Sequence, residues 1–188
     1  MKTDGTSRSK LKASKKDDLT SSKGTIPSMI VRPLAPKDFE FVHSLSKLIA
    51  GYTVCPRYLL WMLTRFHGRF CAVAIAPDQS RLGYLLAMAG SDPSNTAFVW
   101  QLAVTFQGRR LKAQDQLASY LKTAVKARGT TRIVFTSVPN SAAERSVGSL
   151  AKRIFSATPR MNRRLPSSVS RKEREYILSL TASLADET

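Results

Sequence analysis

The chain has 188 residues, 43% of them hydrophobic, and a formal net charge of +17 at pH 7. This length and apolar content fit one domain with a substantial core plus tails, and no apolar run approaches the about 20 residues that a membrane-spanning helix needs. Cys55 and Cys71 form no Cys-x-x-Cys pattern, and the two histidines lie at unrelated spacings. Neither a disulfide framework nor a metal site is therefore expected, whereas the charge favours anionic ligands or partners.

The two ends of the chain differ in composition from its centre. Residues 1–27 are rich in Lys, Ser and Thr and lack hydrophobic periodicity, which predicts a disordered basic arm. They also lack the apolar centre of a secretory signal, so a soluble, cytoplasmic protein with no membrane association is expected. We assign residues 28–181 to the domain and residues 182–188 to a C-terminal tail. Basic tails can attract nucleic acid or ribosomes non-specifically, and an inert, solvated arm is the alternative.

The first elements of the domain carry clear signals. Residues 29–32 form a short β-rich run that ends at Pro33, as in an edge strand. The apolar spacing in residues 36–50 predicts an amphipathic helix. A second helix is predicted from Pro56 to near Gly68, and its aromatic side chains are expected in the core. These are Tyr58, Trp61 and Phe66.

Alternating strand and turn signals follow. They predict an antiparallel meander whose three strands span residues 70–75, 81–88 and 96–104. A helix is then predicted from Leu111 to just before Gly129. It leads to a continuous apolar strand at residues 132–138, suited to burial on both faces beside a parallel neighbour. Strand, helix and strand here make one βαβ crossover.

The C-terminal third begins with a helix that is predicted to run to about Phe155, with Asn140 or Ser141 as its N-cap. Residues 157–172 are basic and contain two prolines, which predicts a long loop before a last strand at residues 176–180. The fold class expected from these elements is α/β, with helices flanking a central sheet.

The junction between residues 98–104 and the following helix is the most informative segment. It reads Gln107-Gly108-Arg109-Arg110-Leu111-Lys112-Ala113. A strand that enters a helix through a tight turn points first-turn N–H groups at the turn, where an anion such as pyrophosphate is favoured. The cations Arg109, Arg110 and Lys112 are unfavourable beside a positive helix end unless an anion binds. The alternative is an ordinary strand-to-helix turn, since many α/β proteins have one that binds nothing.

The same segment resembles the acyl-CoA-binding motif of the GNAT superfamily of N-acetyltransferases, which reads Gln/Arg, any, any, Gly, any, Gly/Ala. Gln107 matches the first position, while Arg110 and Lys112 replace the two later small residues. Phe98-Val99-Trp100-Gln101-Leu102-Ala103-Val104 and Tyr58-Leu59-Leu60 are most similar to the diaminobutyrate acetyltransferases within that superfamily. In their pattern an aspartate stands where this chain has Gly51. The resemblance implies a mixed, mostly antiparallel sheet and acetyl-CoA as the acyl donor.

The resemblance also implies roles for individual residues. The pyrophosphate cradle is Gln107, Gly108, Arg109, Arg110, Leu111, Lys112 and Ala113. The splayed backbone of Leu102, Ala103 and Val104 would bind the pantetheine arm and the thioester carbonyl. Asn140 completes the expected cofactor site, and the acceptor pocket is lined by Tyr58, Trp100 and Gln101.

Proton transfer needs further groups, because an alkyl ammonium with a pKa of about 10.4 must lose a proton before it attacks. Gln101 cannot titrate, although many superfamily members have a glutamate there. The candidate bases are His67, Glu175, Glu40 and Asp92. The tyrosine that the family uses to protonate the departing thiolate is absent, since its position falls on Val147 or Gly148. Tyr176 or solvent would replace it.

The resulting hypothesis is an acetyl-CoA-dependent N-acetyltransferase that acts on a primary amine. The acceptor is either a small amino compound, such as diaminobutyrate, or an amine on an acidic macromolecule, such as an aminoacyl group on RNA. The alternative is a non-catalytic GNAT-like module that binds CoA or nucleic acid through its basic surface. The sequence leaves open whether the protein is a monomer or a homodimer.

Overall fold

The computed structural model describes residues 29–49, 52–90, 95–165 and 173–180. Its strands are β1 (Ile30–Pro33), β2 (Ala72–Ile75), β3 (Arg81–Ala89), β4 (Thr96–Val104), β5 (Arg132–Ser137), β6 (Arg160–Arg164) and β7 (Arg174–Ser179). They form a 7-stranded sheet in the order β1-β2-β3-β4-β5-β7-β6. Within the described residues, β4 and β5 pair in parallel and the other neighbouring strands are antiparallel.

Helices cover both faces of this sheet. They are α1 (Phe39–Leu48), α2 (Arg57–His67), α3 (Phe106–Arg110), α4 (Ala113–Arg128) and α5 (Ala142–Phe155). One hydrophobic core lies between the sheet and the α4–α5 layer, and a second lies between the sheet and the α1–α2 layer. The predicted α/β class, with a mixed, mostly antiparallel sheet flanked by helices, is confirmed. None of the described helices is long and apolar enough to cross a membrane.

A buried ion triad attaches the start of α1 to the sheet edge. Asp38 is fully buried, and its carboxylate accepts hydrogen bonds from Arg32 of β1 at 2.7 Å and from Arg81 of β3 at 2.9 Å. Burial works to raise the pKa of Asp38, but the bonds from Arg32 and Arg81 outweigh it and the pKa is lowered. The carboxylate therefore stays ionised inside the protein.

The prediction of a single helix that begins at Leu111 is wrong, because two helices, α3 and α4, span this region. The Thr105 side chain accepts a hydrogen bond from the Gly108 N–H and so begins α3 at Phe106, and Leu111 lies between α3 and α4. Lys112, in the left-handed conformation with φ 57°, then turns the chain into α4.

The prediction that the aromatic residues of α2 lie in the core is also wrong. Tyr58, Trp61 and Phe66 are 70%, 47% and 67% exposed, whereas Leu60 and Leu63 form the buried face. Both faces of α2 are apolar, so its spacing pattern did not show which face packs on the sheet.

Two predictions near the C-terminus need correction. The loop predicted for residues 157–172 contains β6, whose side chains are all exposed and which pairs with β7. β6 is a strand because its backbone pairs with β7. Such pairing requires no apolar residues, so the sequence of β6 has no hydrophobic pattern from which a strand could be predicted. β5 is not buried on both faces, because burial alternates along it and the α1–α2 core contains none of its residues. The predicted arm at residues 1–27, the tail at 182–188 and most of the turn at 90–95 lie outside the described residues.

Candidate active site

The two parallel strands at the centre of the sheet diverge. β4 and β5 pair only from Thr96 opposite Arg132 to Val99 opposite Phe135. Trp100 is an extra residue in β4, because Leu86 of β3 lies opposite Gln101 and Ala87 lies opposite Val99. A bulge of this kind bends and twists a strand. Residues 101–104 pair with β3 but not with β5, and this separation opens a cleft.

The cleft holds a cavity of about 290 Å³. Trp100, Gln101 and Leu102 line its β4 wall, and Thr136 and Ser137 line its β5 wall. Side chains of α4 and α5 form its base. Its volume is at the low end of the about 300–1,000 Å³ typical of ligand pockets, which suits a slender arm rather than a whole nucleotide.

The orientation of the β4 backbone follows from one hydrogen bond. The Tyr52 hydroxyl donates to the Leu102 carbonyl oxygen at 2.6 Å. The N–H and C=O of a strand residue point the same way, so the Leu102 N–H also faces the cleft and, by alternation, so does that of Val104. Ala103 faces β3, where its carbonyl oxygen lies 2.6 Å from the position of a Cβ on Gly83.

The N-terminus of α4 carries no side-chain cap, whereas Thr105 caps α3 and Ser141 caps α5. Its first-turn N–H groups therefore lack the usual side-chain partner. Arg109, Arg110 and Lys112 beside it are exposed, and none of them forms an ion pair within the described ranges. Helix end and cations together make this corner electropositive.

Two other residues of the predicted cradle, Gly108 and Ala113, face inward. The Gly108 N–H donates to Thr105 Oγ1 at 3.0 Å, and a Cβ on Gly108 would lie 2.1 Å from the Leu82 carbonyl oxygen. Gly108 therefore allows α3 to pack on β3, and its amide is not open to a ligand. Ala113 is fully buried, while Gln107 and Leu111 are exposed.

Gln114 is a cleft residue that the sequence did not single out. It lies in the first turn of α4 and lines the cavity, and its Oε1 is buried without a hydrogen-bond partner. A buried carbonyl oxygen without a donor costs free energy that a ligand N–H could recover. No local signal marks a glutamine at this helix position.

The predicted acceptor residues separate in the structure. Trp100 and Gln101 line the cleft, but Gln101 is committed to structural bonds. Its Oε1 accepts from the Tyr84 hydroxyl at 2.9 Å, and its Nε2 donates to the Thr53 carbonyl at 2.7 Å, which holds the loop before α2 against β4. Tyr58 lies on the outward face of α2 and does not line the cavity.

Tyr52 also escaped the sequence analysis, although it lines the cleft through the bond to Leu102. Burial raises the pKa of Tyr52, and the bond to the Leu102 carbonyl lowers it by less. The hydroxyl therefore stays protonated at neutral pH. This hydroxyl lies at the edge of β4 that β5 has left.

Tyr176 lies beside a second cavity, of about 480 Å³, between α5 and the strands β5 and β7. Its ring stacks on Phe135 at 5.4 Å. Phe135 lines both cavities, whereas Tyr176 lines only the second. Burial and then Glu144 raise the pKa of Tyr176 to about 12, so its hydroxyl too is protonated at neutral pH.

Of the predicted bases, Glu175 is paired with the cleft strand β5 but does not line the cavity. It lies opposite Thr136 of the cleft wall, and its carboxylate accepts hydrogen bonds from Asn162 and from Arg163, the latter at 3.2 Å. Glu40 is exposed and pairs with Arg57. Asp92 lies outside the described residues.

His67 and Asn140 occupy different ends of the fold. Burial and the nearby Arg128 lower the pKa of His67, and Arg128 ends α4 about 22 Å from that helix's N-terminus. Asn140 directly precedes the N-cap of α5 in the left-handed conformation. Its N–H donates to Glu144, and its carbonyl accepts from Arg145.

No protein-family model and no curated protein sequence matches the chain. Several solved structures do match the chain. The diaminobutyrate acetyltransferase EctA from Paenibacillus lautus, in complex with L-2,4-diaminobutyric acid and coenzyme A, superposes with a TM-score of 0.69 and 18% identity over 82% of this chain and 96% of that chain. An acetyltransferase of the GNAT family from Staphylococcus aureus matches with a TM-score of 0.62 and 15% identity over 82% and 100%.

Arabidopsis thaliana Naa50, in complex with the bisubstrate analogue CoA-Ac-MVNAL, matches with a TM-score of 0.64 and 11% identity over 81% of this chain and 98% of that one. EctA is bound to L-2,4-diaminobutyric acid and Naa50 to a bisubstrate analogue, and the identities of all three proteins to the chain are similarly low. The resemblance to the diaminobutyrate enzymes is therefore one among several of equal rank. What the matches share is the architecture, and the chain has the GNAT N-acetyltransferase fold.

Proposed function

We propose that the protein is an acetyl-CoA-dependent N-acetyltransferase that acts on a primary amine. The observation that carries this proposal is the divergence of β4 and β5 after the bulge at Trp100, which leaves the Leu102 N–H facing a slender cleft. The matched structures that contain coenzyme A or an analogue of it support acetyl-CoA as the donor.

The residues present fit such a donor in two places. The uncapped N-terminus of α4, with Arg109, Arg110 and Lys112, would bind the pyrophosphate outside the cleft. The N–H of Val104 would pair with the pantetheine arm inside it, and that of Leu102 would face the thioester carbonyl. The unpartnered Oε1 of Gln114 would accept from an amide N–H of the arm.

We assign the chemistry to one backbone N–H, one hydroxyl and one carboxylate. The amine nitrogen attacks the thioester carbonyl carbon, and the C–S bond breaks as the amide forms. The Leu102 N–H would stabilise the negative charge on the carbonyl oxygen, and Tyr52 would donate its hydroxyl proton to the departing thiolate. Glu175, or a water held by it, remains the proposed base for the ammonium.

The acceptor remains a primary amine of unassigned structure. A diaminobutyrate-like compound is one candidate, although Gly51 stands where the resemblance would have an aspartate for the ammonium. An amine on an acidic macromolecule is the other, and the exposed Arg160, Arg163 and Arg164 of β6 support it. Turnover that falls steeply with added salt would favour the macromolecule, and salt-independent turnover would favour the small amine.

The first experiment is a calorimetric titration with acetyl-CoA and, separately, with CoA, at a salt concentration that suppresses non-specific attraction. Micromolar binding of both would support the cradle, and release of free CoA thiol with members of an amine panel would then establish transfer. Absence of binding would overturn the proposal.

A non-catalytic CoA-binding module is the second candidate. Two observations favour it: Arg110 and Lys112 replace small residues of the motif, and α5 lacks the expected tyrosine. Tight CoA binding with no turnover of any amine, aminoacyl-RNA included, would select this candidate.

A further inference from the structure

The outward face of α2 is an unpartnered aromatic surface. Tyr58, Trp61 and Phe66 are 70%, 47% and 67% exposed, and together they define what we call the α2 aromatic surface. Tyr58 and Trp61 stack with ring centroids 5.9 Å apart, and Trp61 meets Phe66 edge to face at 6.4 Å. The three rings therefore form one continuous patch that is already ordered before any partner binds.

The segment that carries this surface contributes charges of one sign only. Residues 57–70 contain three arginines and no carboxylate. Arg65 follows Trp61 by four residues, which places the two side chains on neighbouring turns of the same face. Arg65 and Arg69 are exposed and form no ion pair in the described part of the chain, while Arg57 pairs with Glu40.

Interleaved rings and cations suit one class of partner better than others. Aromatic faces stack on nucleobases, and the adjacent arginines bind the phosphates between them. A surface that binds protein would be expected to carry carboxylates or further apolar side chains besides its cations. A surface that binds lipid would be expected to carry its cations beside the apolar side chains and not among them. Charge complementarity to a polyanion is further favoured by the net charge of +17.

We propose that the α2 aromatic surface binds single-stranded nucleic acid through stacking on Trp61 and its neighbours and through phosphate contacts from Arg65 and Arg69. The helix has 11 residues, a length of about 16 Å, which matches about five nucleotides of a stacked strand. This proposal is independent of acetyl transfer, and neither depends on the other.

The test uses the full-length protein and a fluorescein-labelled oligouridine of about a dozen nucleotides, with binding followed by fluorescence anisotropy. Trp61→Ala and Phe66→Ala are each expected to weaken binding about five-fold or more, with an unchanged salt dependence. Met161→Ala is the matched control, because Met161 is 62% exposed on β6, away from α2, and its loss leaves affinity unchanged. Residues 1–28 contain no aromatic residue, so binding by that basic segment cannot produce the expected loss.

A charge variant tests the second half of the proposal. Arg65→Gln is expected to lower the slope of log affinity against log salt by about 0.7, the value for one lost phosphate contact on a single strand. All substituted side chains are exposed, and circular dichroism will show that each variant is folded.

Two results would overturn the proposal. One is unchanged oligouridine affinity in both aromatic variants. The other is a Trp61-dependent shift of tryptophan emission with phosphatidylserine-containing vesicles and none with oligouridine, which would make this face a lipid-binding surface.

Discussion

The hydrogen bond from the Tyr52 hydroxyl to the Leu102 carbonyl joins two residues that are 50 positions apart in the chain. It ties the segment before α2 to the edge of β4 that β5 has left. The same bond reports that the Leu102 N–H faces the cleft, and it places a protonated hydroxyl beside the proposed reaction centre.

Tyr52→Phe removes the proposed proton donor and leaves the ring. We expect kcat to fall about a hundred-fold with little change in the KM for acetyl-CoA, since the hydroxyl acts on the departing thiolate. Tyr84→Phe is the matched control, because its hydroxyl bonds to Gln101 and does not line the cleft. Equal losses of kcat in the two variants would assign Tyr52 a structural role only.

Arg110→Glu places a negative charge at the electropositive corner before α4. We expect it to abolish CoA binding in calorimetry and to leave the thermal unfolding temperature nearly unchanged, because Arg110 is exposed and unpaired in the described residues. Lys126→Glu makes the same charge change near the other end of α4 and should retain binding. Normal CoA binding by the Arg110 variant would place the cradle elsewhere.

Gln114→Leu should affect stability and binding in opposite directions. Replacing the unpartnered Oε1 by an apolar group is expected to raise the free energy of unfolding of the free protein by about 1 kcal/mol, while affinity for CoA falls. Urea denaturation and calorimetry measure the two effects. A variant that is destabilised, or that binds CoA as tightly as before, would contradict this role.

Gly108→Ala tests the close approach of α3 to β3. A Cβ there would lie 2.1 Å from the Leu82 carbonyl oxygen, so the helix must shift, at a cost of about 1–3 kcal/mol. Gly148→Ala in α5 meets nothing within 4 Å and should stabilise by about 0.5–1 kcal/mol. Thermal denaturation of the pair is the measurement, and equal effects would refute the packing argument.

Acid should break the ion pairs that Asp38 forms with Arg32 and Arg81. The folded-state pKa of Asp38 is lowered, so its contribution is fully present above the unfolded value of about 3.9 and is lost as the pH falls through the lower, folded value. At pH 7, Asp38→Asn is expected to destabilise toward the lower end of about 3–5 kcal/mol, because Arg32 and Arg81 are partly solvated. The stability difference between wild type and variant, followed by urea denaturation, should shrink below pH 4. A constant difference down to pH 2 would argue against the ion triad.

Local pattern was enough to predict most of the elements. Strands β2, β3 and β4 follow from period-two or continuous apolar runs between turn residues, and α5 follows from Ser141 and the apolar spacing up to Phe155. The fold class and the electropositive corner at Arg109, Arg110 and Lys112 were likewise predicted, because they depend on neighbours in sequence. Hydrophobic periodicity and charge are local properties that the chain carries before it folds.

Only the tertiary structure decided which face of α2 is covered, where β4 departs from β5, and which polar atoms meet in the cleft. The bulge at Trp100, the bond from Tyr52 to Leu102 and the unpartnered Gln114 depend on pairing and packing between distant segments. A helix that is apolar on two faces does not encode which one the sheet will cover. The exposed rings of α2 and the cleft beside Leu102 are therefore properties of the assembled fold, because long-range contacts set them.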